Sequence, residues 1–328
     1  MIRRRDFITL LGGAAAWPLA ARAQEPNRVR RIAVLLGGAF TEHNSDFAAF
    51  QEELAKHGWI EGRNLWIDVR AGANDPNRIR AFAVELVGLA PDAIVTSNLL
   101  STRAMQQQTQ SIPIIFTGVG GESVRVGVVG SIARPDGNAT GFTNLFNSIS
   151  GKWVELLKRT APHVTRIALV FNPAATPRPP IGYIAAAEAA ATALEVRSVR
   201  IPIGNDLELV RAIDAFGSEE NGGLVVLPPG AVNFNLLTSL AAEHQLPAIF
   251  YDRRFVAGGG LMSYGSITAD LFRGAASYVD RILRGAKVSE LPVQYPTKFE
   301  LVINLKAAKA IRLTIPQSVL ASADEVIE

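Results

Sequence analysis

The 328-residue chain contains no cysteine, and that absence removes several chemistries at once. Disulfide frameworks, thiolate metal centres, cysteine nucleophiles and a lipid-modified cysteine anchor are all excluded. Histidine is nearly as scarce: His43, His57, His163 and His244 lie far apart without metal-site spacing, and each reads as a surface or capping residue. There is no nucleophile elbow and no phosphate-binding loop, and Gly118-Val119-Gly120-Gly121 lacks the third glycine of a dinucleotide fingerprint. Carboxylate pairs such as Asp68 and Asp75 carry nothing that would place them in one cleft. These gaps point away from an enzyme, a metal site or a bound cofactor. Beyond the amino terminus, no apolar run reaches the roughly 18 residues that a membrane span needs.

The amino terminus itself reads as an export signal over residues 1–23. Arg3-Arg4-Arg5 precedes an apolar run from Phe7 to Ala21, and Ala21-Arg22-Ala23 supplies an A-x-A cleavage pattern, so the mature chain is expected to start at Gln24. Arg4-Arg5-Asp6-Phe7-Ile8 resembles the twin-arginine export motif, with an ordinary secretory signal as the alternative. Either route takes the protein out of the cytoplasm as a soluble chain. The signal removes Arg3, Arg4, Arg5 and Arg22 against Asp6, and this leaves the 33 basic and 30 acidic residues of the whole chain in equal numbers. A balanced mature chain has no electrostatic footprint for nucleic acid or an anionic membrane.

What is present is an alternation of short Val/Ile/Leu-rich runs with helical patterns, which argues for parallel strands covered on both faces by helices. The expected strands of the first half are Arg31 to Leu36, Asn64 to Val69, Ala93 to Thr96 and Ile112 to Phe116. A helix with Phe47, Phe50 and Leu54 on one face stops at Gly58, another runs from Asn77 to Leu89, and a third starts near Ser101. In the second half, strands are expected at Arg166 to Phe171, Val196 to Ile201, Leu224 to Leu227 and Ala248 to Tyr251. Helices there run from Ile181 to Leu194, Leu207 to Phe216 and Asn235 to His244. A long helix from Asp270 to Leu283 and a strand from Phe299 to Ile303 follow. RIAVLL at 31 echoes RIALVF at 166, AIVT at 93 echoes LVVL at 224, and IPIIFTG at 112 echoes LPAIFYD at 246, at offsets of 135, 131 and 134 residues. Three echoes in order argue for two similar lobes.

Between those halves lies Thr117 to Asn144, a glycine-rich loop, an apolar helix-like run and the turn Pro135-Asp136-Gly137-Asn138. Loops at strand carboxyl ends near the junction of two halves are where an open α/β sheet binds ligand. The candidates for ligand contact in the first half are Phe40, Thr41, His43, Ser97, Asn98, Thr102, Thr117, Gly118 and Glu122. In the second half they are Asn172, Asn233, Tyr251 and Asp252; Phe40, Phe142, Tyr251 and Tyr264 are aromatic candidates for an apolar wall. Ser101 and Asn235 read as helix caps. Chain crossings between lobes are expected near Gly141 to Asn144, near Ser266 to Asp270 and after Pro292, with Gly141, Thr143, Asn144 and Ser266 as hinge candidates.

GSIARPDGNATGFTN at 130–144, GGLMSYGS at 259–266 and LPVQYPTKFELVINLKAAKAIRLTIPQSVLASADEVIE at 291–328 resemble the ABC-transporter substrate-binding family that includes tryptophan- and tyrosine-type receptors. The resemblance implies a type I periplasmic-binding fold of two Rossmann-like lobes with parallel sheets and three interlobe crossovers. It implies lobe 1 as residues 28–142 plus about 267–292, and lobe 2 as residues 143–266 plus about 293–328. It further implies a periplasmic monomer, without cofactor, that delivers an aromatic amino acid or aromatic acid to an inner-membrane ABC permease. A ligand sensor for a membrane signalling partner and an exported enzyme are the competing readings. Glu122-Ser123 stands where the family usually has Asp-Pro, and Tyr251-Asp252-Arg253 is unusual for it. Glu122 or Asp252 would pair with a ligand ammonium, Ser97, Asn98 and Thr117 would hold a carboxylate, and Arg253 is a further carboxylate partner or a solvated surface residue.

Overall fold

The computed structural model describes residues 28–40, 44–120, 127–173, 180–228 and 233–328, except the side chain of Asn44. The signal segment and the candidates Thr41, His43 and Glu122 lie outside the described residues.

Arg30–Leu36 forms β1, and Ile32 through Leu36 are buried, so the strand is covered on both faces. β2 (Leu65–Ala71) and β3 (Ala93–Thr96) flank it; β4 (Ile114–Val119) and β5 (Ala139–Thr143) follow, giving an all-parallel sheet in the order β2-β1-β3-β4-β5. The connections are α1 (Asn44–Lys56), α2 (Pro76–Gly88) and α3 (Leu99–Gln108). Phe47, Phe50 and Leu54 of α1 are buried on one face as expected. Gly58 ends the turn at φ +89°, while Gly58 N–H donates to Ala55 O and Trp59 N–H to Leu54 O.

The second sheet contains β6 (Arg166–Phe171), β7 (Arg197–Pro202), β8 (Gly222–Val226), β9 (Ala248–Phe250), β10 (Met262–Ser266), β11 (Phe299–Asn304) and β12 (Glu325–Ile327). Its order is β12-β11-β10-β9-β8-β6-β7. From β7 to β10 this repeats the 2-1-3-4-5 order of the first sheet. The echoing segments occupy matching places: β1 with β6, β3 with β8, and β4 with β9. β11 departs from the all-parallel expectation by pairing antiparallel with β10. Helices α4 (Ile149–Thr160), α5 (Ile181–Ala193), α6 (Asp206–Gly217), α7 (Phe234–Glu243) and α8 (Arg253–Ala257) belong to this half.

After β10 the chain returns to the first sheet as α9 (Thr268–Leu283), whose Phe272, Ala275, Val279 and Ile282 share a core with Ile32, Val34 and Phe50. The following segment runs beside β5: Gln294 N–H donates to Gly141 O and Thr143 N–H to Gln294 O, both at 2.9 Å. The chain then enters β11, followed by α10 (Leu305–Ala310) and α11 (Gln317–Leu320). It has passed between the sheets three times.

Two expectations need correction. Residues 127–138 form turns and irregular chain, where the apolar run suggested a helix. Val128 and Val129 are buried against Phe116 and Ile132, and Asp136 accepts from Gly130 N–H at 3.0 Å, so tertiary burial outweighs helical periodicity here. The stretch before the first crossing is the strand β5, and α4, with Trp153, Val154 and Leu157 buried, has no counterpart among the expected helices.

Gly141 is the tightest point of β5. Its φ is +151°, and a Cβ there would stand 2.0 Å from Phe116 O. Gly141→Ala is expected to destabilise by about 2–4 kcal/mol, read as a fall in the urea midpoint. A change below about 0.5 kcal/mol would contradict the packing.

Arg253 of α8 donates to Glu300 Oε2 at 2.9 Å and reaches Glu325 of β12. Burial pushes the Glu300 carboxyl above 4.5; Arg253 opposes the shift, while Glu325, Asp252 and Asp324 add to it. The folded state therefore holds this proton more tightly than the unfolded chain, and ionisation costs stability as pH rises through the folded pKa. Glu300→Gln is expected to melt at least as high as wild type at pH 7, with the two curves converging below pH 4.5. A lower melting temperature for the variant at pH 7 would show that the ion pair with Arg253 outweighs the cost of burying the charge.

Candidate functional site

The carboxyl ends of β1, β3 and β4 converge through a closed set of hydrogen bonds. Gly37 N–H donates to Ser97 Oγ at 2.8 Å, and Gly37 has no room for a Cβ because the Asn98 side chain lies 1.8 Å from that point. Asn98 caps α3 by accepting from Ser101 N–H at 2.9 Å, and Ser101 Oγ accepts from Asn98 N–H in return. Thr102 Oγ1 donates to Asn98 O at 2.7 Å, and Thr117 Oγ1 donates to Thr96 O at 3.2 Å. Gly118 turns at φ +68° against Ser97 O. Ser97, Asn98, Thr102, Thr117 and Gly118 are thus brought together, with their polar side chains bonded to backbone groups of these strand ends and helix starts. The expected caps move by two or three residues: Asn98 caps α3, and Asn233 caps α7 by accepting from Leu236 N–H at 3.2 Å. Ser101 and Asn235 lie inside their helices. Asn233 also donates to Asp206 Oδ2 at 2.9 Å.

Across from this edge, Asn172 follows β6 and Tyr251 follows β9. The Tyr251 ring meets Phe255 edge-on at 5.0 Å. Asp252 caps α8 by accepting from Arg254 N–H at 2.9 Å, and its two oxygens also take Arg254 Nε and Nη2 at 2.9 and 2.7 Å. Burial pulls the Arg254 pKa down, but the hydrogen bonds and charge of Asp252 more than reverse this, with Tyr251 and Asp46 contributing; the net shift is upward. Asp46 belongs to α1 and is 7% exposed, so Arg254 senses a carboxylate from the opposite half. Tyr183 of α5 spans the same gap: its hydroxyl lies 3.6 Å from where a Cβ on Gly120 would stand. The strand ends of the two sheets therefore face each other.

Apolar surface is exposed along that edge. Phe40 is 43% exposed, Leu100 in the first turn of α3 is 38% exposed, and Ile181 at the start of α5 is 60% exposed. Leu100, Ile181 and Arg254 were missing from the sequence-derived candidates. An apolar residue at a helix start directly after a strand end was the available signal for the first two. Phe142 and Tyr264 face other partners: Phe142 lies 4.7 Å from the Tyr278 ring and against Gly274 of α9, and Tyr264 stacks on Phe299 at 5.7 Å.

Two facing α/β sheets of this order, linked by three passes of the chain, match a known family over nearly the whole described length. The chain belongs to the ABC transporter substrate-binding protein family. The family model, described as ABC transporter substrate binding protein, matches residues 32–327. A tyrosine-binding protein of Clostridioides difficile strain R20291 is 26% identical over 276 residues, 80% of this chain and 75% of that protein. A conserved domain protein from Vibrio cholerae has a TM-score of 0.80 at 24% identity, covering 91% of this chain and 100% of its own. A Streptococcus pneumoniae ABC domain in complex with L-tryptophan has a TM-score of 0.80 at 22% identity, covering 91% of this chain and 99% of its own. The family is one of binding proteins, and the fold of the two solved structures is the type I periplasmic-binding fold.

In this substrate-binding protein Gly141 and Thr143 lie in β5, Asn144 follows it, and Ser266 ends β10, so all four hinge candidates border a pass between the sheets. A groove of about 420 Å³ lined by Leu305, Ala308, Arg312 and Leu313 lies elsewhere. It follows the end of β11, which runs against β10, and therefore opens on the edge away from the facing strand ends.

The network at β3 assigns Asn98 a stabilising part. Asn98→Ala is expected to cost about 1 kcal/mol in urea unfolding through loss of the cap. An unchanged unfolding midpoint would show that the cap carries no stability.

Proposed function

We propose that this chain is a periplasmic receptor, soluble after loss of residues 1–23, that captures a small aromatic amino acid or aromatic carboxylate between its two sheets. It acts as a monomer, delivers the ligand to an inner-membrane ABC permease by closing the cleft, and does no covalent chemistry. The observation that carries this reading is the pairing, at the facing strand ends, of exposed apolar side chains with a fixed charge: Phe40, Leu100 and Ile181 with Arg254 held by Asp252. The tyrosine-binding relative and the tryptophan-bound neighbour support the aromatic class.

The division into lobes follows the sheets. On this reading residues 28–142 with about 267–292 are lobe 1 and residues 143–266 with about 293–328 are lobe 2, boundaries that fall one or two residues inside the first sheet, where Thr143 ends β5 and Gln294 runs beside it. Gly141, Thr143, Asn144 and Ser266 border the bending passes.

Magnitudes require both kinds of contact. Burying an aromatic side chain of about 150–250 Å² at roughly 25 cal/mol/Å² contributes about 4–6 kcal/mol. Micromolar affinity needs about 8 kcal/mol after association and closure costs, so charge-assisted hydrogen bonds at roughly 1.5–3 kcal/mol each have to supply the remainder.

Thermal-shift screening of the mature protein tests the class. L-tryptophan, L-tyrosine or an aromatic acid at a hundred times its dissociation constant is expected to add about 2.7 kcal/mol and raise the melting temperature. A shift with a sugar or nucleoside, and none with any aromatic compound, would refute the aromatic reading.

A further inference from the structure

We infer that Arg254 is the residue that fixes the carboxylate of the ligand, with Asp252 as the positioning residue that aims it. This rests on the reading of the cleft as a ligand site and names the group that selects acids over their neutral or amine counterparts.

Of the polar side chains that the sequence offers for a carboxylate, Thr117 spends its hydroxyl hydrogen on Thr96 O, while Ser97 Oγ and Asn98 Oδ1 are held as acceptors by Gly37 N–H and Ser101 N–H, so these two carry only neutral donors. Asn233 is occupied likewise by Leu236 N–H and Asp206. Arg253, adjacent in sequence, is directed to Glu300 and Glu325 of the second sheet. Pulling any of these away to meet a ligand would leave a buried partner unsatisfied.

Arg254 differs. A guanidinium carries five N–H donors in a planar fork. Asp252 takes Nε–H and one Nη2–H along a single edge, at 2.9 and 2.7 Å. The other edge, made of Nη1 and the second Nη2 hydrogen, has no hydrogen bond among the described residues, and the side chain is 43% exposed. That edge matches the two oxygens of a carboxylate. Asp252 is fixed by its own capping bond to Arg254 N–H, so the plane of the guanidinium is set before a ligand arrives. Pre-setting removes much of the rotamer entropy that a long side chain loses on binding.

Tyr251 follows β9 directly before this pair, and its ring meets Phe255 edge-on at 5.0 Å, so an aromatic side chain adjoins the fixed charge in the chain.

The experiment is isothermal titration of mature wild type, Arg254→Gln, Arg254→Lys and Asp252→Asn, each checked by circular dichroism and melting temperature. The probes are L-tyrosine, L-tryptophan, their decarboxylated forms tyramine and tryptamine, and the aliphatic acids L-leucine and 4-methylpentanoate. Arg254→Gln is expected to weaken carboxylate probes about 10- to 100-fold while leaving tyramine and tryptamine within about twofold. Arg254→Lys, which keeps the charge and loses the fork, is expected to fall between. Asp252→Asn is expected to weaken the acids and spare the amines. Unchanged acid binding by Arg254→Gln, or equal loss for acids and amines in a folded variant, overturns the inference while the aromatic reading stands. If only the aliphatic acids bind, and they depend on Arg254, the inference stands and the aromatic reading falls. If wild type binds no carboxylate, the inference is overturned.

Discussion

Parallel pairing around β1 and around β6 is the constraint on which the rest of the molecule depends. In a parallel sheet every strand leaves by the same edge, so one choice of polarity collects the ends of β1, β3 and β4 in one place and those of β6, β8 and β9 in another. Each sheet carries its first strand between the second and the third, so successive connections part on opposite sides and open a crevice at the carboxyl edge. Duplicating that order turns two such edges toward each other. No residue in the loops has to create the cleft; the ladders do.

The same constraint decides which side chains remain for a ligand. The carboxyl edge of a buried parallel sheet is crowded with backbone groups and helix starts that need partners before anything else can be served. Ser97, Asn98, Thr102 and Thr117 meet part of that need, serving Gly37 N–H, Ser101 N–H, Asn98 O and Thr96 O in turn. What projects beyond the satisfied layer is apolar, as with Leu100 and Ile181, or is held at its base by a neighbour, as with Arg254 on Asp252. The polar character of these loops in sequence is thus mostly structural.

This explains what the amino-acid sequence disclosed and what it hid. β1, β3, β4 and their partners β6, β8 and β9 were legible because strands buried on both faces are unbroken apolar runs, and because their order repeats. β5 was not: Ala139–Thr143 has little apolar content, and its place depends on Phe116 behind Gly141 and on Gln294, distant in sequence, beside Thr143. The helix starts lie two or three residues earlier than expected because Asn98 and Ser101, like Asn233 and Asn235, are equally good caps in composition, and the cap bonds go to Asn98 and Asn233. Arg253 and Arg254 are the same residue type at adjacent positions. Their side chains part because Asp252 claims one while Glu300 and Glu325 claim the other, and two of those three carboxylates come from the far end of the chain.

The passes between the sheets show where the proposed closing motion has to bend. On the first-sheet side, Thr143 and Gln294 are tied by backbone hydrogen bonds, so two of the three passes leave that sheet as a pair. On the second-sheet side, Phe146 lies 5.5 Å from Phe299, which stacks on Tyr264, and this joins the same two passes again where they arrive. Between those ties remain 144–145 and 295–298, and the third pass is the single residue Ile267 between β10 and α9. A rotation confined to such short segments requires modest changes at several dihedrals in parallel, because three short connections resist any twist that only one could follow.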